Sequence, residues 1–171
     1  MTSELGQLLA RTDIGRPLTE DECATLVAAG RVQVAFNDQA LLTEGDRGDT
    51  MLVLTEGEVV VTKKDQHGEE REICRLGEGS VLGEISLLCD APRTANVKAA
   101  DTVRYLELPR DAFEKLLEEQ DPAATKAAVA IARILGQRQA KLNERLLQVL
   151  SEGPSDDVRR VLDEIVVEWD E

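Results

Sequence analysis

The sequence predicts a mainly β domain, a small antiparallel sandwich or roll, with α-helices on both sides of it. Short apolar segments alternating with polar residues recur between residues 31 and 108, and glycine turns separate them about every eight to twelve residues. A helix-capping signal precedes this region, and a long segment of helical periodicity follows it. Short strands closed by glycine turns favour an antiparallel arrangement over a βαβ sheet.

The N-terminal helices are indicated by capping and periodicity. Residues 3–11 carry leucines at helical spacing, with Ser3 as a candidate cap. Thr19 and Glu22 match a capping box, which predicts a second helix. Gly30 is expected to end that helix in the left-handed conformation, so that the β region begins at residue 31.

The β region is predicted to contain eight or so short strands. The first strand is expected to bury the face that carries Val32, Val34 and Phe36, because these residues alternate with polar ones. The turn at residues 44–49 contains two glycines, which are free to adopt positive φ. The other strands are expected near residues 40–42, 51–54, 59–62, 73–76, 81–82, 96–99 and 103–108.

A long helix is expected from Pro122 to Leu150, with an apolar stripe that is interrupted near Arg138. An acidic amphipathic helix is expected after Gly153, where the last twenty residues contain eight acids and two arginines. One hypothesis is that this tail folds back on the basic long helix, in the same chain or in a dimer mate. The alternative is a solvated tail.

Composition excludes several functions. The chain has 171 residues, 42% hydrophobic and only 2% aromatic, so its core should be aliphatic. Its formal net charge of −14 argues against nucleic acid or an anionic membrane as a partner. The three cysteines show neither metal-ligand spacing nor a disulfide pattern, and no nucleophile–base pair is evident. We therefore expect a soluble, cytoplasmic, non-enzymatic protein without a metal.

The most informative segment is residues 83–97, which read GEISLLCDAPRTANV. Glu84 supplies a carboxylate that can accept hydrogen bonds from sugar hydroxyls. A short apolar turn follows, and its backbone N–H groups can face an anion. Arg93 and Thr94 can contact a phosphate from the other side. These features together suit a phosphorylated sugar.

This segment resembles the phosphate-binding cassette of the cyclic-nucleotide-binding domain family. The glycine turns at residues 44–49 and 55–59 also resemble those of the family in order and spacing. The resemblance implies an antiparallel β-roll of the jelly-roll type over residues 18–135. Residues 1–17 would then form an N-terminal helical extension, and residues 136–171 a C-terminal extension with the acidic tail helix.

The resemblance also implies roles for individual residues. Glu84 would accept a hydrogen bond from the ribose 2′-hydroxyl, and Arg93 would pair with the cyclic phosphate. The other expected ligand contacts are backbone N–H groups of Gly83, Ile85, Ser86 and Ala95, the Thr94 hydroxyl, and the apolar side chains Val81, Leu82 and Val97. Arg138 is a candidate to cover the base, with a solvated helix residue as the alternative.

The match departs from the family pattern at two positions. Asp90 stands where glycine is common, and Asn96 where Thr or Ser is common. Asp90 could close the site against Arg93, and Glu84 and Arg93 could instead form a structural ion pair. The choice between adenine and guanine stays open, because a Thr after the arginine is compatible with guanine.

Two functional hypotheses follow. The first is a stand-alone regulatory module that binds cAMP or cGMP, needs no other cofactor, and signals through its C-terminal helices to a protein partner or in a homodimer. The second is a scaffold protein of the same fold that has lost its ligand. A DNA-binding regulator is disfavoured, because the segment after Gly153 is too short and too acidic to enter a DNA groove.

Overall fold

The structure is a computed structural model that describes residues 2–65, 67–89 and 91–151. The chain divides into two compact units, Met1–Ile131 and Ala132–Glu171. The helices are α1 (Thr2–Arg11), α2 (Glu20–Ala29), α3 (Glu84–Cys89), α4 (Arg110–Glu118) and α5 (Pro122–Ser151). The strands are β1 (Arg31–Ala35), β2 (Ala40–Leu42), β3 (Thr50–Glu56), β4 (Val59–Lys64), β5 (Glu70–Leu76), β6 (Val81–Leu82), β7 (Asn96–Ala99) and β8 (Val103–Pro109).

The strands form two four-stranded sheets, in the orders β1-β8-β3-β6 and β2-β7-β4-β5. Each of the described pairings between neighbouring strands is antiparallel. Consecutive strands alternate between the sheets at several points, as expected when a ribbon is rolled up. The prediction of an antiparallel β-roll with flanking helices is confirmed.

The interior of the roll is aliphatic, as the composition predicts. Leu52 and Leu54 of β3 pack in one cluster with Leu82 of β6 and Val97 of β7. The apolar cluster therefore contains side chains from both sheets and fixes how they face each other.

The helices cover the other face of the first sheet. Met51 and Val53 alternate with the roll-facing leucines of β3, so they point to the opposite side, and both are fully buried. Helices α1, α2 and α4 contact this sheet, and Leu26 of α2 and Phe113 of α4 are also fully buried. The unit thus has one apolar layer inside the roll and a second between the sheet and the helices.

The first strand is less buried than its sequence predicts. Val32, Val34 and Phe36 are exposed by 39%, 46% and 65%, whereas Ala35 is buried. The prediction of a buried Val32-Val34-Phe36 face is wrong because Ala35, on the other face of β1, belongs to the roll core, so the Val32-Val34-Phe36 face points away from the roll interior. The alternation of apolar and polar residues identified the strand, but it does not show whether a helix packs against the apolar face.

Helix α2 begins as predicted and ends differently. Thr19 and Glu22 form the capping box, with Thr19 Oγ accepting from the Glu22 N–H and Glu22 accepting from the Thr19 N–H. Gly30 is extended (φ −108°), so the predicted left-handed conformation is wrong. Glycine is needed at this position for a different reason: a Cβ on residue 30 would lie 2.7 Å from the Glu107 carbonyl oxygen.

The long helix α5 agrees with prediction, since it spans Pro122–Ser151. Ile131 of its expected stripe is fully buried, and within the second unit Leu142 is 52% exposed. The expected tail helix lies outside the described residues. In the part of the chain that the structure describes, no helix combines the length and apolar character needed to cross a membrane.

An ion pair joins α2 to the start of α5. Lys126 Nζ lies 2.6 and 2.8 Å from the two carboxylate oxygens of Glu22. This hydrogen bond is the main reason that the pKa of Glu22 lies below 4.5. The pair connects a helix near the start of the first unit's sequence to a helix near its end, and the two residues are 104 positions apart.

We predict that Glu22→Gln lowers the thermal unfolding temperature at neutral pH and that this loss disappears in acid. Because the folded-state pKa of Glu22 is lowered, the ionised carboxylate stabilises the fold above its unfolded pKa near 4.5, and that contribution is lost as the pH falls through the folded value. Gln keeps the capping box and removes the charge. Thermal unfolding from pH 7 to pH 3, with exposed Glu20→Gln as the control, checks this; a deficit independent of pH would contradict it.

Candidate functional site

The cassette connects the two sheets of the roll. It follows β6 of the first sheet and leads into β7 of the second. Gly83 begins it with a φ of +73°, and its carbonyl oxygen accepts the Leu87 N–H at 3.1 Å, which opens α3. A Cβ on residue 83 would lie 2.3 Å from Arg93 Nη1, so only glycine fits there without displacing the arginine.

Arg93 is the central side chain of this segment. It is only 6% exposed. Its Nη1 donates to the Thr50 carbonyl oxygen at 2.7 Å and to the Gly83 carbonyl oxygen at 3.4 Å, and its Nη2 donates to Thr50 Oγ at 2.8 Å. These three acceptors are uncharged, so they orient the guanidinium and leave its positive charge in place.

Nearby charges act on Arg93 through space. Burial lowers the pKa of its guanidinium, Asp49 and Asp46 raise it, and the neighbouring cation Arg110 lowers it. An arginine stays protonated at neutral pH despite such changes. The result is a buried, fixed positive charge with a second guanidinium close by.

The backbone of Arg93 is fastened to the turn between β2 and β3. The Arg93 N–H donates to the Asp46 carbonyl oxygen, and the Gly45 N–H donates to the Arg93 carbonyl oxygen, both at 2.9 Å. Arg47 and Pro92 form an isolated antiparallel bridge next to these bonds. The turn therefore holds the main chain of Arg93 while Thr50 and Gly83 hold its side chain.

The expected acid lies in the same segment. Glu84 is 4% exposed and is the first residue of α3, directly after Gly83, whose carbonyl oxygen contacts Arg93. Ser86 is 2% exposed, and its hydroxyl donates to the Pro92 carbonyl oxygen at 3.4 Å, which closes the cassette on itself. The structure thus brings Gly83 into contact with Arg93 and Ser86 into contact with Pro92, next to Arg93, and it buries Glu84 one residue after Gly83.

The remaining predicted residues differ in their surroundings. Ile85 and Thr94 are exposed, and Ala95 packs against the roll core. Leu82 and Val97 belong to that core, whereas Val81 is buried on the opposite face of its strand.

Two residues of interest lie elsewhere. Arg138 is in the second compact unit, so its role toward the site stays a prediction. Asp90 lies outside the described residues, and so does its suggested contact with Arg93.

Sequence reasoning noted the glycine turn that contains Gly48 and the unusual Asn96 but not what these residues contact, and it missed Thr50 and Arg110 as residues that support the site. Arg110 Nη2 donates to the Gly48 carbonyl oxygen at 2.6 Å and also to the Ser86 carbonyl oxygen. A Cβ on Gly48 would lie 2.1 Å from the Ser86 Cβ. The Gly48-Asp49 pair was visible as a turn signal, but its contact with a residue 38 positions later has no local signature.

A surface cleft of about 330 Å³ lies beside the cassette, and its described lining consists of Gly45, Arg47, Ala91 and Pro92. It borders the outer side of the turn that holds the Arg93 backbone. The described part of its lining offers one cation, Arg47, and the buried Glu84 and Arg93 remain the stronger candidates for the chemical centre. Within the described residues, no group of three or more His, Cys, Asp and Glu side chains is arranged to hold a metal ion.

Comparison with known proteins identifies the family of this chain. The family model described as "Cyclic nucleotide-binding domain" matches residues 32–120, just over half of the chain. The chain belongs to the cyclic nucleotide-binding domain family, and the resemblance inferred from the cassette is confirmed.

Curated relatives include two kinds of kinase protein. The chain is 34% identical over 121 residues to the cGMP-dependent protein kinase egl-4 of Caenorhabditis briggsae, covering 70% of this chain and 16% of the kinase. It is 37% identical over 97 residues to a cAMP-dependent protein kinase regulatory subunit of Yarrowia lipolytica, covering 53% of this chain and 25% of that subunit. The chain thus spans a quarter or less of the length of these two relatives.

Among solved structures, a cyclic nucleotide-binding domain from Methylobacillus flagellatus superposes with a TM-score of 0.74 at 26% identity, covering 91% of this chain and 85% of that one. The N-terminal domain of a transcriptional regulator from Streptomyces coelicolor gives a TM-score of 0.67 at 29% identity, covering 79% of this chain and 94% of that one. Similar folds therefore occur in a cyclic nucleotide-binding domain and in the N-terminal domain of a transcriptional regulator.

We predict that Gly48→Ala destabilises the protein by about 1–3 kcal/mol, because the new methyl group would overlap Ser86 and force α3 away from the β2–β3 turn. Urea unfolding measures the free energy. Gly77→Ala is the matched control, since the nearest atom to its Cβ would be 3.9 Å away. Equal stability of the two variants would show that Gly48 is not a packing requirement.

Proposed function

We propose that this chain is a regulatory module that binds a 3′,5′-cyclic nucleotide, cAMP or cGMP, and performs no catalysis. The observation that carries this proposal is the buried Arg93 guanidinium, held by uncharged oxygen atoms in the same segment as the buried Glu84. A fixed cation whose described hydrogen-bond partners are uncharged oxygen atoms suits a phosphate, and a carboxylate in the same segment suits ribose hydroxyls. Family membership and the similarity to cGMP-dependent and cAMP-dependent kinase proteins support the same ligand class.

The proposed contacts follow the cassette. Arg93 pairs with the cyclic phosphate, and Glu84 accepts from the ribose 2′-hydroxyl. The exposed Thr94, next to Arg93, is available to a base or a phosphate oxygen. The binding domain is proposed to comprise residues 18–135, a range that contains the family match at residues 32–120.

Binding to the wild-type protein and to Arg93→Lys tests this proposal. We expect the wild type to bind cAMP or cGMP and Arg93→Lys to bind roughly 100-fold more weakly, since lysine keeps the charge but loses the planar fork that Thr50 and Gly83 orient. Isothermal titration calorimetry measures both dissociation constants.

Arg104→Lys is the control, because Arg104 pairs with Glu56 at the surface, away from the cassette. The 5′-monophosphates AMP and GMP serve as control ligands. A wild type that binds neither cyclic nucleotide would overturn the proposal and favour the alternative, a scaffold protein of the same fold.

We further propose that binding is transmitted through Arg110 to the C-terminal helices, and from them to a protein partner or a second copy of the chain. Arg110 is the first residue of α4, and its guanidinium contacts α3 at the Ser86 carbonyl oxygen and the β2–β3 turn at Gly48. Its own N–H donates to the Asp49 carbonyl oxygen at 2.8 Å. A shift of the cassette would therefore act directly on α4, which leads into α5.

Arg110→Lys should separate binding from transmission. Lysine retains a positive charge, but its flexible side chain lacks the rigid planar guanidinium that fixes Nη2 between the Gly48 and Ser86 carbonyl oxygens. We expect affinity to fall by less than about tenfold, while the ligand-induced change in amide hydrogen exchange of α4 and α5 is largely lost. Arg104→Lys again serves as the control, and an unchanged exchange response in Arg110→Lys would rule out this route.

A further inference from the structure

Asn96 lies three residues after Arg93 and is 8% exposed. Its Oδ1 accepts the Glu44 N–H at 2.8 Å, and its Nδ2 donates to Glu70 Oε1 at 3.2 Å. The Glu44 N–H needs an acceptor, and the Glu70 carboxylate needs a donor. An amide side chain offers both, on its oxygen and on its nitrogen. Each end of the side chain has its own partner.

The Glu44 contact places Asn96 in a closed loop of hydrogen bonds with Arg93. Glu44 is followed by Gly45 and Asp46, whose N–H and carbonyl groups bond the Arg93 backbone at 2.9 Å. The side-chain amide of Asn96 therefore holds Glu44 at one end of the turn, and the next two residues of the turn, Gly45 and Asp46, hold the Arg93 backbone. A displacement at residue 44 would move both backbone partners of Arg93.

The carboxylate that accepts from Asn96 Nδ2 is itself fixed in place. Glu70 Oε2 accepts from Lys98 Nζ at 3.1 Å, and this contact is the main reason that the pKa of Glu70 is lowered. Glu44 is tied to β4 as well, since its Oε2 accepts the Lys64 N–H at 3.2 Å. The turn is thus attached through Asn96 and Glu44 to three strands of the second sheet.

We infer that Asn96 is a positioning residue for the ligand arginine: it holds the β2–β3 turn in place, and the turn holds Arg93. This inference rests on the proposed function for its effect on affinity. An amide is suited to the position because it reaches two partners on opposite sides with a donor and an acceptor on separate atoms. A Thr or Ser side chain is shorter and has a single oxygen atom for both contacts.

Exchanging the hydrogen-bonding roles of residues 96 and 70 tests the inference. Asn96→Asp keeps the acceptor for the Glu44 N–H but sets two carboxylates against each other. Adding Glu70→Gln restores a donor opposite the new acid and returns the net charge to its original value. Glu70→Gln alone should behave like the wild type, because the Gln oxygen can still accept from Asn96 and the Lys98 pair is exposed.

Two measurements are made on all four proteins: amide hydrogen exchange without ligand, and the dissociation constants for cAMP and cGMP. In Asn96→Asp we expect roughly tenfold less protection of the Gly45 and Arg93 amides and roughly tenfold weaker binding. The double variant should return to within about threefold of the wild type in both. The Gly79 amide, bonded to the Leu54 carbonyl oxygen at 2.9 Å, is the internal reference and should not change.

Asn37→Asp is the matched control, because it also places a new acid beside an existing one, Asp38, on an exposed turn. If the two amides keep their protection in Asn96→Asp, or if the double variant is no better than the single one, the inference is overturned. If the wild type binds no cyclic nucleotide, the proposed function fails, and the exchange data still decide whether Asn96 positions Arg93. Changed protection with unchanged affinity would likewise overturn the role in ligand binding.

Discussion

The burial of one guanidinium is the constraint on which the rest of this site depends. Arg93 is placed inside the protein against the carbonyl and hydroxyl oxygens of Thr50 and the carbonyl oxygen of Gly83. Removing such a cation from water is unfavourable unless its donors are satisfied. The surrounding chain must therefore deliver oxygen atoms at defined positions, and this requirement explains several features that look unrelated in the sequence.

Glycine provides the space for this arrangement at two positions. At residue 83 the backbone adopts positive φ and passes so close to Arg93 that a side chain would collide with the guanidinium. At residue 48 the β2–β3 turn approaches Ser86 equally closely. The first glycine admits the arginine, and the second lets the turn reach the cassette, so both act on the same contact between turn and cassette.

The local part of this arrangement could be predicted from the sequence, and the long-range part could not. The cassette, the capping box at Thr19 and the glycine turns are contiguous signals, and each was found where it was expected. The partners of Asn96 and Arg110 are 24 to 62 residues away in sequence, so neither hydrophobic periodicity nor motif spacing indicates these contacts. The exposure of β1 was not predicted for a related reason. Alternation of apolar and polar residues identifies a strand, but whether its apolar face is buried depends on where helices from distant parts of the sequence pack.

The local geometry also resolves an apparent conflict between the net charge of −14 and a proposed anionic ligand. Exposed charges farther away than about 8 Å are largely screened at physiological ionic strength, so the total charge matters less than the groups beside the site. There, Asp46 and Asp49 are near enough to raise the pKa of the Arg93 guanidinium, and Arg110 is near enough to lower it. The local field therefore depends on a few groups of both signs rather than on the total charge. For this reason the net charge of −14 does not argue against the singly charged cyclic phosphodiester proposed as the ligand.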